Sequence, residues 1–184
     1  MTWIDWMAVG LVLVYAFGGF FTGVFRRLIG LVALYVAFLA ATNMGLQAGQ
    51  ILQQSSNFEV ADARIYGFFG IATAVLVIVE GATQLAHSSI QVPALVLNRL
   101  LGVIVGAITG GVLAVLVIYE LAAAGNPIGG FQLDALQLRI KDAYNNSHVA
   151  VPLDGLVKKP IIGLFQPALP TDPQIYFGPS PVSQ

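Results

Sequence analysis

Four long apolar runs restrict the folds that are open to this chain. They cover approximately residues 4–25, 28–45, 65–86 and 100–124. Each run is near the length of about 20 residues that a helix needs to cross about 30 Å of hydrocarbon. Backbone amides in lipid must be paired within their own segment, so all four runs are predicted to be helices despite their many Val and Ile residues. The sequence therefore predicts an all-α membrane protein with four transmembrane helices.

The composition fits a chain whose main partner is the lipid bilayer. Hydrophobic residues make up 57% of the sequence, charged residues make up 9%, and the mean hydropathy is +0.82. An ordinary soluble domain has about 25% charged residues. Phosphate binding needs clustered cations, so a net charge of −1 with only eight scattered Lys and Arg residues argues against nucleic acid as a partner.

Sequence signatures of an enzyme are absent. There is no phosphate-binding loop, no His-Glu-x-x-His metal motif and no Gly-x-Ser-x-Gly nucleophile elbow. The chain has no cysteine, which excludes disulfides and the usual cysteine zinc sites. We therefore expect no catalytic residue, no cofactor and no bound metal.

Small residues form stripes on two of the predicted helices. Gly102, Gly106 and Gly110 recur every fourth position in the last apolar run, and Gly19 and Gly23 form a second pair in the first run. In lipid, such stripes let two helix backbones approach closely and gain dispersion contacts. Both an oligomer interface and packing inside the bundle fit this pattern, and for a chain with four spans we favour internal packing.

The basic residues near the spans predict the orientation. Arg26 and Arg27 lie between the first two runs and Arg99 lies between the last two, whereas Arg64 alone flanks the other side. The positive-inside rule therefore places both connections in the cytoplasm and both termini outside it.

Two acidic residues fall inside the apolar runs, and intramembrane charges are functional candidates by default. Glu80 is predicted to lie near the cytoplasmic end and Glu120 near the outer end, where structural or interfacial roles are the favoured interpretation and a proton or ion pathway is the alternative. Because Arg26 and Arg99 reach the same end as Glu80, we predict an ion pair between Glu80 and one of them.

The apolar pattern ends near residue 125, which divides the chain into a membrane domain at 1–125 and an extracytoplasmic tail at 126–184. Apolar residues at helical spacing predict a short amphipathic helix within 131–146. The same stretch also alternates over three positions, so a strand is the alternative.

The end of the tail, residues 151–184, contains seven prolines, which favours an extended chain. Large apolar residues are interspersed among these prolines, so we predict that this segment docks on a partner or on the outer face of the bundle. The candidate docking residues are Ile161, Leu164, Phe165, Tyr176 and Phe177.

Three motifs resemble those of a known family. They are Trp3-Ile4-Asp5-Trp6, the stretch from Gly19-Phe20-Phe21 to Arg26-Arg27-Leu28, and the glycine-rich residues 98–110 that open with Asn98-Arg99-Leu100. Over about residues 3–125 the chain resembles the colicin V production protein family of small bacterial inner-membrane proteins. It departs from the family pattern at three positions. Gly18 stands where the family usually has a basic residue, Arg27 where it has an acidic residue, and Asn98 where it has an Asp.

The resemblance implies the bacterial plasma (inner) membrane as the location and a role in envelope maintenance or export. Together with the missing enzyme signatures, it suggests a non-catalytic accessory or scaffold protein, a subunit of a larger membrane complex that binds other membrane proteins or itself. The alternative is a small transporter or channel component, which would need a polar pathway through the bundle.

Overall fold

The structure is a computed structural model that describes residues 1–56, 58–87, 95–128 and 132–178. Every regular element in these ranges is helical. In chain order they are α1 (Trp3–Ser55), α2 (Val60–His87), α3 (Leu95–Ala124), α4 (Ala135–Asn145), α5 (Ala150–Leu156), α6 (Lys158–Phe165), a 3₁₀ turn (Gln166–Ala168) and α7 (Pro173–Tyr176). The connection predicted between the third and fourth runs lies largely outside the described residues.

Three helices in the described ranges, α1, α2 and α3, are long and apolar enough to cross a membrane. The third and fourth apolar runs correspond to α2 and α3. The sequence predicts separate helices for the first two runs, whereas the structure joins them in the 53 residues of α1. Arg26 and Arg27 consequently lie inside helical backbone and not in a loop.

The helix α1 breaks at Gly23, where the backbone has φ 75° and ψ 179°. Residues on either side of this break contact the same C-terminal part of the chain: Asp5 accepts a hydrogen bond from Val149, and Thr42 donates one to Ala168. In an unbroken helix, residues 5 and 42 would be about 55 Å apart. The chain therefore reverses at Gly23, giving an N-terminal arm (3–22) and a C-terminal arm (24–55).

The glycine stripe of α3 packs against the N-terminal arm. A Cβ added at Gly102 would overlap the carbonyl oxygen of Gly19, and one added at Gly110 would lie 2.8 Å from the carbonyl oxygen of Leu11. Gly106 faces the backbone of Tyr15 in the same way. As the residue number rises on α3 it falls on the arm, so the two helices are antiparallel and in backbone contact.

A second glycine contact joins α2 to the C-terminal arm. A Cβ added at Gly67 would overlap the carbonyl oxygen of Gly45 and lie 2.6 Å from the amide nitrogen of Gly49. Next to this contact, the rings of Phe38 and Phe68 meet edge to face, with centroids 5.9 Å apart. Small residues thus bring the backbones together, and aromatic residues fill the space beside them.

The extended tail predicted for 151–184 is wrong for the described residues, because 150–178 contain three short helices and a 3₁₀ turn. Each helix has a proline in its first turn: Pro152 in α5, Pro160 in α6 and Pro173 in α7. The first N–H groups of a helix have no intrahelical acceptor, so a proline there loses no hydrogen bond. The prolines divide the segment into short helices without preventing them. Residues 179–184 lie outside the described part.

The amphipathic segment predicted within 131–146 is a helix, α4, and the strand alternative is wrong. Asp134 caps its first turn by accepting a hydrogen bond from the N–H of Gln137 at 2.7 Å. On the inward face, Ile140 is buried, and Leu136 packs at the edge of the main core. The C-terminal segment therefore shares one hydrophobic core with the long helices.

We predict that Gly106→Ala destabilises the fold and that Gly111→Ala, on the same helix, does not. The new methyl group at 106 would overlap the Tyr15 backbone, whereas nothing lies within 4 Å of the Cβ position at 111. Overpacking costs about 1–3 kcal/mol, and replacing an open helical glycine by alanine gains about 0.5–1 kcal/mol. Thermal unfolding of both variants in detergent measures the difference. Equal unfolding midpoints would contradict the backbone contact.

Candidate functional site

The polar groups at the reversal of α1 come from three segments of the chain. Asn98, near the start of α3, accepts a hydrogen bond from the backbone N–H of Val24 at 3.1 Å. The same side chain fills the space in front of Gly23. Val24 follows the break directly, so its N–H is one of the donors left unpaired at a helix start. A side chain of α3 thus caps the C-terminal arm in the way that a local N-cap residue would.

Arg27 is the central charge at this end of the bundle. It is buried, with its guanidinium against Gly18 and centred 5.1 Å from the centroid of the Tyr15 ring. Its Nη1 lies 3.8 Å from Oε1 of Glu80 on α2. The two side chains therefore form an ion pair, but the distance is too long for a hydrogen bond. We call Tyr15, Arg27, Glu80 and Asn98 the reversal cluster.

The two arginines predicted to pair with Glu80 make contacts of different kinds. Arg26 donates a hydrogen bond to the backbone carbonyl of Glu80 at 3.2 Å. The Arg99 guanidinium lies 5.6 Å from the centroid of the Phe20 ring. The structure thus brings Arg26 to the same residue through its backbone and gives the Glu80 carboxylate an ion pair with Arg27. Sequence reasoning missed Arg27 because which of two adjacent arginines faces inward depends on the helix phase after the break.

At the opposite end of the bundle, Asp5 ties the start of α1 to the C-terminal segment. Its buried carboxylate accepts hydrogen bonds from the Ser147 hydroxyl and from the backbone N–H groups of Val149 and Thr2. A buried carboxylate needs such donors because nothing else replaces its lost hydration. The sequence signal was an acidic residue in an otherwise apolar first turn, but its partner lies 142 residues away.

The last described residues lie on the C-terminal arm and on α2. The Tyr176 hydroxyl donates to the carbonyl of Ala41 at 3.1 Å, and Phe177 is fully buried against Phe68. Arg64 donates to the carbonyls of Tyr176 and Gly178. Burial raises the pKa of Tyr176 to about 12.

The remaining candidate docking residues are divided between core and surface. Phe165 is buried, and its ring centroid lies 5.8 Å from that of Tyr35. Ile161 packs at the edge of the same core, whereas Leu164 is 72% exposed. Most of the segment thus covers the bundle itself, and Leu164 points away from it.

Glu120 of α3 is the most isolated acidic group. It is fully buried, and neither carboxyl oxygen has a hydrogen-bond partner among the described residues. Sequence reasoning placed it near a water interface, but the C-terminal segment covers this end of α3. No set of three His, Asp or Glu side chains in the described ranges is close enough to hold a metal ion.

Comparison with known proteins identifies a family. The family model described as Colicin V production protein matches residues 4–157, which run from the start of α1 to the end of α5. No curated protein and no solved structure matches the chain.

We predict that Arg27→Gln and Glu80→Gln are energetically coupled. Either change alone leaves a poorly solvated charge, so the double variant should be more stable than the sum of the single effects implies. Contacting pairs give coupling energies of about 0.5–3 kcal/mol, measurable by chemical unfolding in detergent. Arg99→Gln combined with Glu80→Gln is the matched control and should be additive. Additivity in both cycles would rule out the Arg27 pair.

Proposed function

The chain belongs to the colicin V production protein family, and on that premise we propose that it is a non-catalytic accessory or scaffold subunit of a larger complex in the bacterial inner membrane. The observation that carries this proposal is the direct backbone contact within two helix pairs. Along α3, three glycines bring the backbone into contact with the N-terminal arm, and Gly67 does the same for α2 and the C-terminal arm. At these positions, among the described residues, the paired helices leave no space between them for a solute.

An accessory subunit needs an outer surface on which another membrane protein can pack. Phe17 and Phe21 lie one helical turn apart on the N-terminal arm, and each is more than 60% exposed. The rings of Phe17 and Phe21 already contact edge to face, with centroids 4.9 Å apart. Aromatic residues dominate the energetics of interfaces. This aromatic stripe is therefore the surface that we assign to a partner helix.

The reversal at Gly23 supports four membrane crossings by three long helices. The N-terminal arm has the length of one crossing, about 30 Å, and the C-terminal arm is longer. With Arg26, Arg27 and Arg99 at the reversal end, the positive-inside rule puts that end in the cytoplasm. Both termini, α4 and the remaining C-terminal segment then lie outside it. Arg64, the exception on the outer side, donates to the carbonyls of Tyr176 and Gly178.

A transporter or channel component is the second candidate, and buried Glu120 is the observation that favours it. An unpaired carboxyl inside a membrane bundle is a common feature of proton pathways. Neither of its carboxyl oxygens has a hydrogen-bond partner among the described residues, so no hydrogen-bonded chain leads from it to the reversal cluster. Without such a pathway, the transporter role stays the second candidate.

Topology reporters test the four crossings. We expect reporters at residues 1 and 184 and after Ser56 to score extracytoplasmic, and one at Ser88 to score cytoplasmic. The reporter after Ser56 is decisive, because a single crossing by α1 would place it opposite residue 1. A cytoplasmic score there, or at residue 184, would contradict the proposed arrangement.

Purification from native membranes in mild detergent tests the scaffold role. We expect the chain to be recovered with at least one partner in fixed stoichiometry, or as a defined homo-oligomer. Phe17→Ala combined with Phe21→Ala should reduce partner recovery several-fold without changing folded yield. Val77→Ala combined with Ile78→Ala, equally exposed on α2, is the control and should leave recovery unchanged. Recovery of the unmodified chain as a lone monomer would overturn the proposal.

A further inference from the structure

A basic cavity lies between the end of α3 and the helix α6. It has a volume of about 460 Å³, and its polar lining comes from Tyr119 on α3, Lys158 and Lys159 on α6, and Gln166 and Thr171 beyond it. Among its described lining residues no carboxylate occurs. Two lysines, two residues with hydroxyl groups and a glutamine therefore line a common space, and their side chains can all donate hydrogen bonds to an anion.

The two lysines are held differently. Lys158 is half-buried, and its Nζ lies 5.4 Å from the centroid of the Tyr119 ring. That cation–π contact holds the Lys158 ammonium group beside Tyr119 of α3. Lys159 is exposed at the rim. Asp172 lines the adjoining cavity together with Lys158 and Tyr119, and it caps α7 by accepting a hydrogen bond from the N–H of Ile175 at 3.2 Å.

The cavity lies at the depth of the bilayer interface. Tyr119 is five residues before the end of α3 at Ala124, so it is about 8 Å from that helix end. The other end of α6 reaches deeper, because the Phe165 ring lies beside Tyr35 in the middle of the second apolar run. Thus α6 runs from the interface towards the apolar part of α1, with its lysines at the shallow end.

The remaining walls of the cavity are apolar. Ile162, Leu169 and Pro170 also line it, and Leu164, 72% exposed, lies on α6 like Ile162. A free phosphate ion would gain no favourable contact from these apolar residues. An amphiphile would place its charge at the lysines and its first methylene groups along α6, as interfacial lysines and apolar residues generally arrange themselves.

We propose that this cavity binds the phosphate headgroup of an anionic phospholipid from the leaflet next to the C-terminal segment. Lys158 and Lys159 provide charge-assisted hydrogen bonds to the phosphate oxygens, Thr171 and Tyr119 provide neutral donors, and Ile162 contacts the upper acyl chain. The family match ends at residue 157, so both lysines and α6 lie beyond the matched part of the chain. The assignment does not depend on the scaffold role or on which leaflet is outer.

Lipid binding by the purified full chain tests the proposal. Native mass spectrometry in a neutral detergent would compare phosphatidylglycerol with phosphatidylcholine, each titrated into the protein. We expect phosphatidylglycerol to bind at least tenfold more tightly, and Lys158→Gln combined with Lys159→Gln to remove that preference. Arg139→Gln combined with Lys141→Gln removes the same charge from α4 and should change the affinity less than twofold.

Two further measurements keep the test decisive. Lys159→Gln alone alters only an exposed side chain, so it should fold and still weaken phosphatidylglycerol binding several-fold, which covers the case in which the double variant does not fold. Inorganic phosphate at millimolar concentration should compete poorly with the lipid. Equal affinity for the two lipids, an unaffected Lys159→Gln variant, or full displacement by inorganic phosphate would each overturn the assignment to a lipid headgroup.

Discussion

The fold depends on a single backbone reversal at Gly23. Its φ of 75° lies in the left-handed region that side chains disfavour, and the turn takes place without a loop because Asn98 of α3 accepts the first exposed N–H of the next helix. The Asn98 side chain fills the space in front of Gly23 and pairs this donor, so the reversal in this form depends on α3 lying alongside. The glycine stripe that brings α3 against the N-terminal arm and the side chain that caps the C-terminal arm are therefore parts of one contact. When the glycine stripe packs against the N-terminal arm, Asn98 is brought to the start of the C-terminal arm.

Charges in this apolar bundle are found where two or more segments meet. Arg27 joins both arms to α2 through Tyr15, Gly18 and Glu80. At the other end, Asp5 joins the first turn of α1 to Ser147 and Val149. A buried charge stabilises a fold only when several donors or a counter-charge surround it, so the contacts of each of these residues depend on the complete assembly. Glu120, which has no described hydrogen-bond partner, is the exception.

The C-terminal segment, residues 150–178, packs on the bundle and contributes to its core. Tyr176 and Phe177 fill the gap beside Phe68, and Arg64 fixes the carbonyls at the end of α7. The same segment carries the basic cavity at the interface, so the cover of the helical bundle and the proposed lipid contact share one element. A scaffold in a membrane contacts both its protein partner and the surrounding lipid. The two surfaces proposed for these contacts, the aromatic stripe of α1 and the basic cavity beside α6, lie on different helices.

The sequence by itself determined that the chain has long apolar helices suited to a membrane. The length and polarity of an apolar run are local properties, and they decide whether a segment can cross a bilayer. It also identified the glycine stripe of α3, since a four-residue spacing puts those positions on one face of any helix. Only the tertiary structure decided which face that stripe meets, that Arg27 forms an ion pair with the Glu80 carboxylate, and that the proline-rich end is helical and docked. Those outcomes depend on the direction of the chain after Gly23 and on contacts between residues more than 50 positions apart, and no local pattern encodes either.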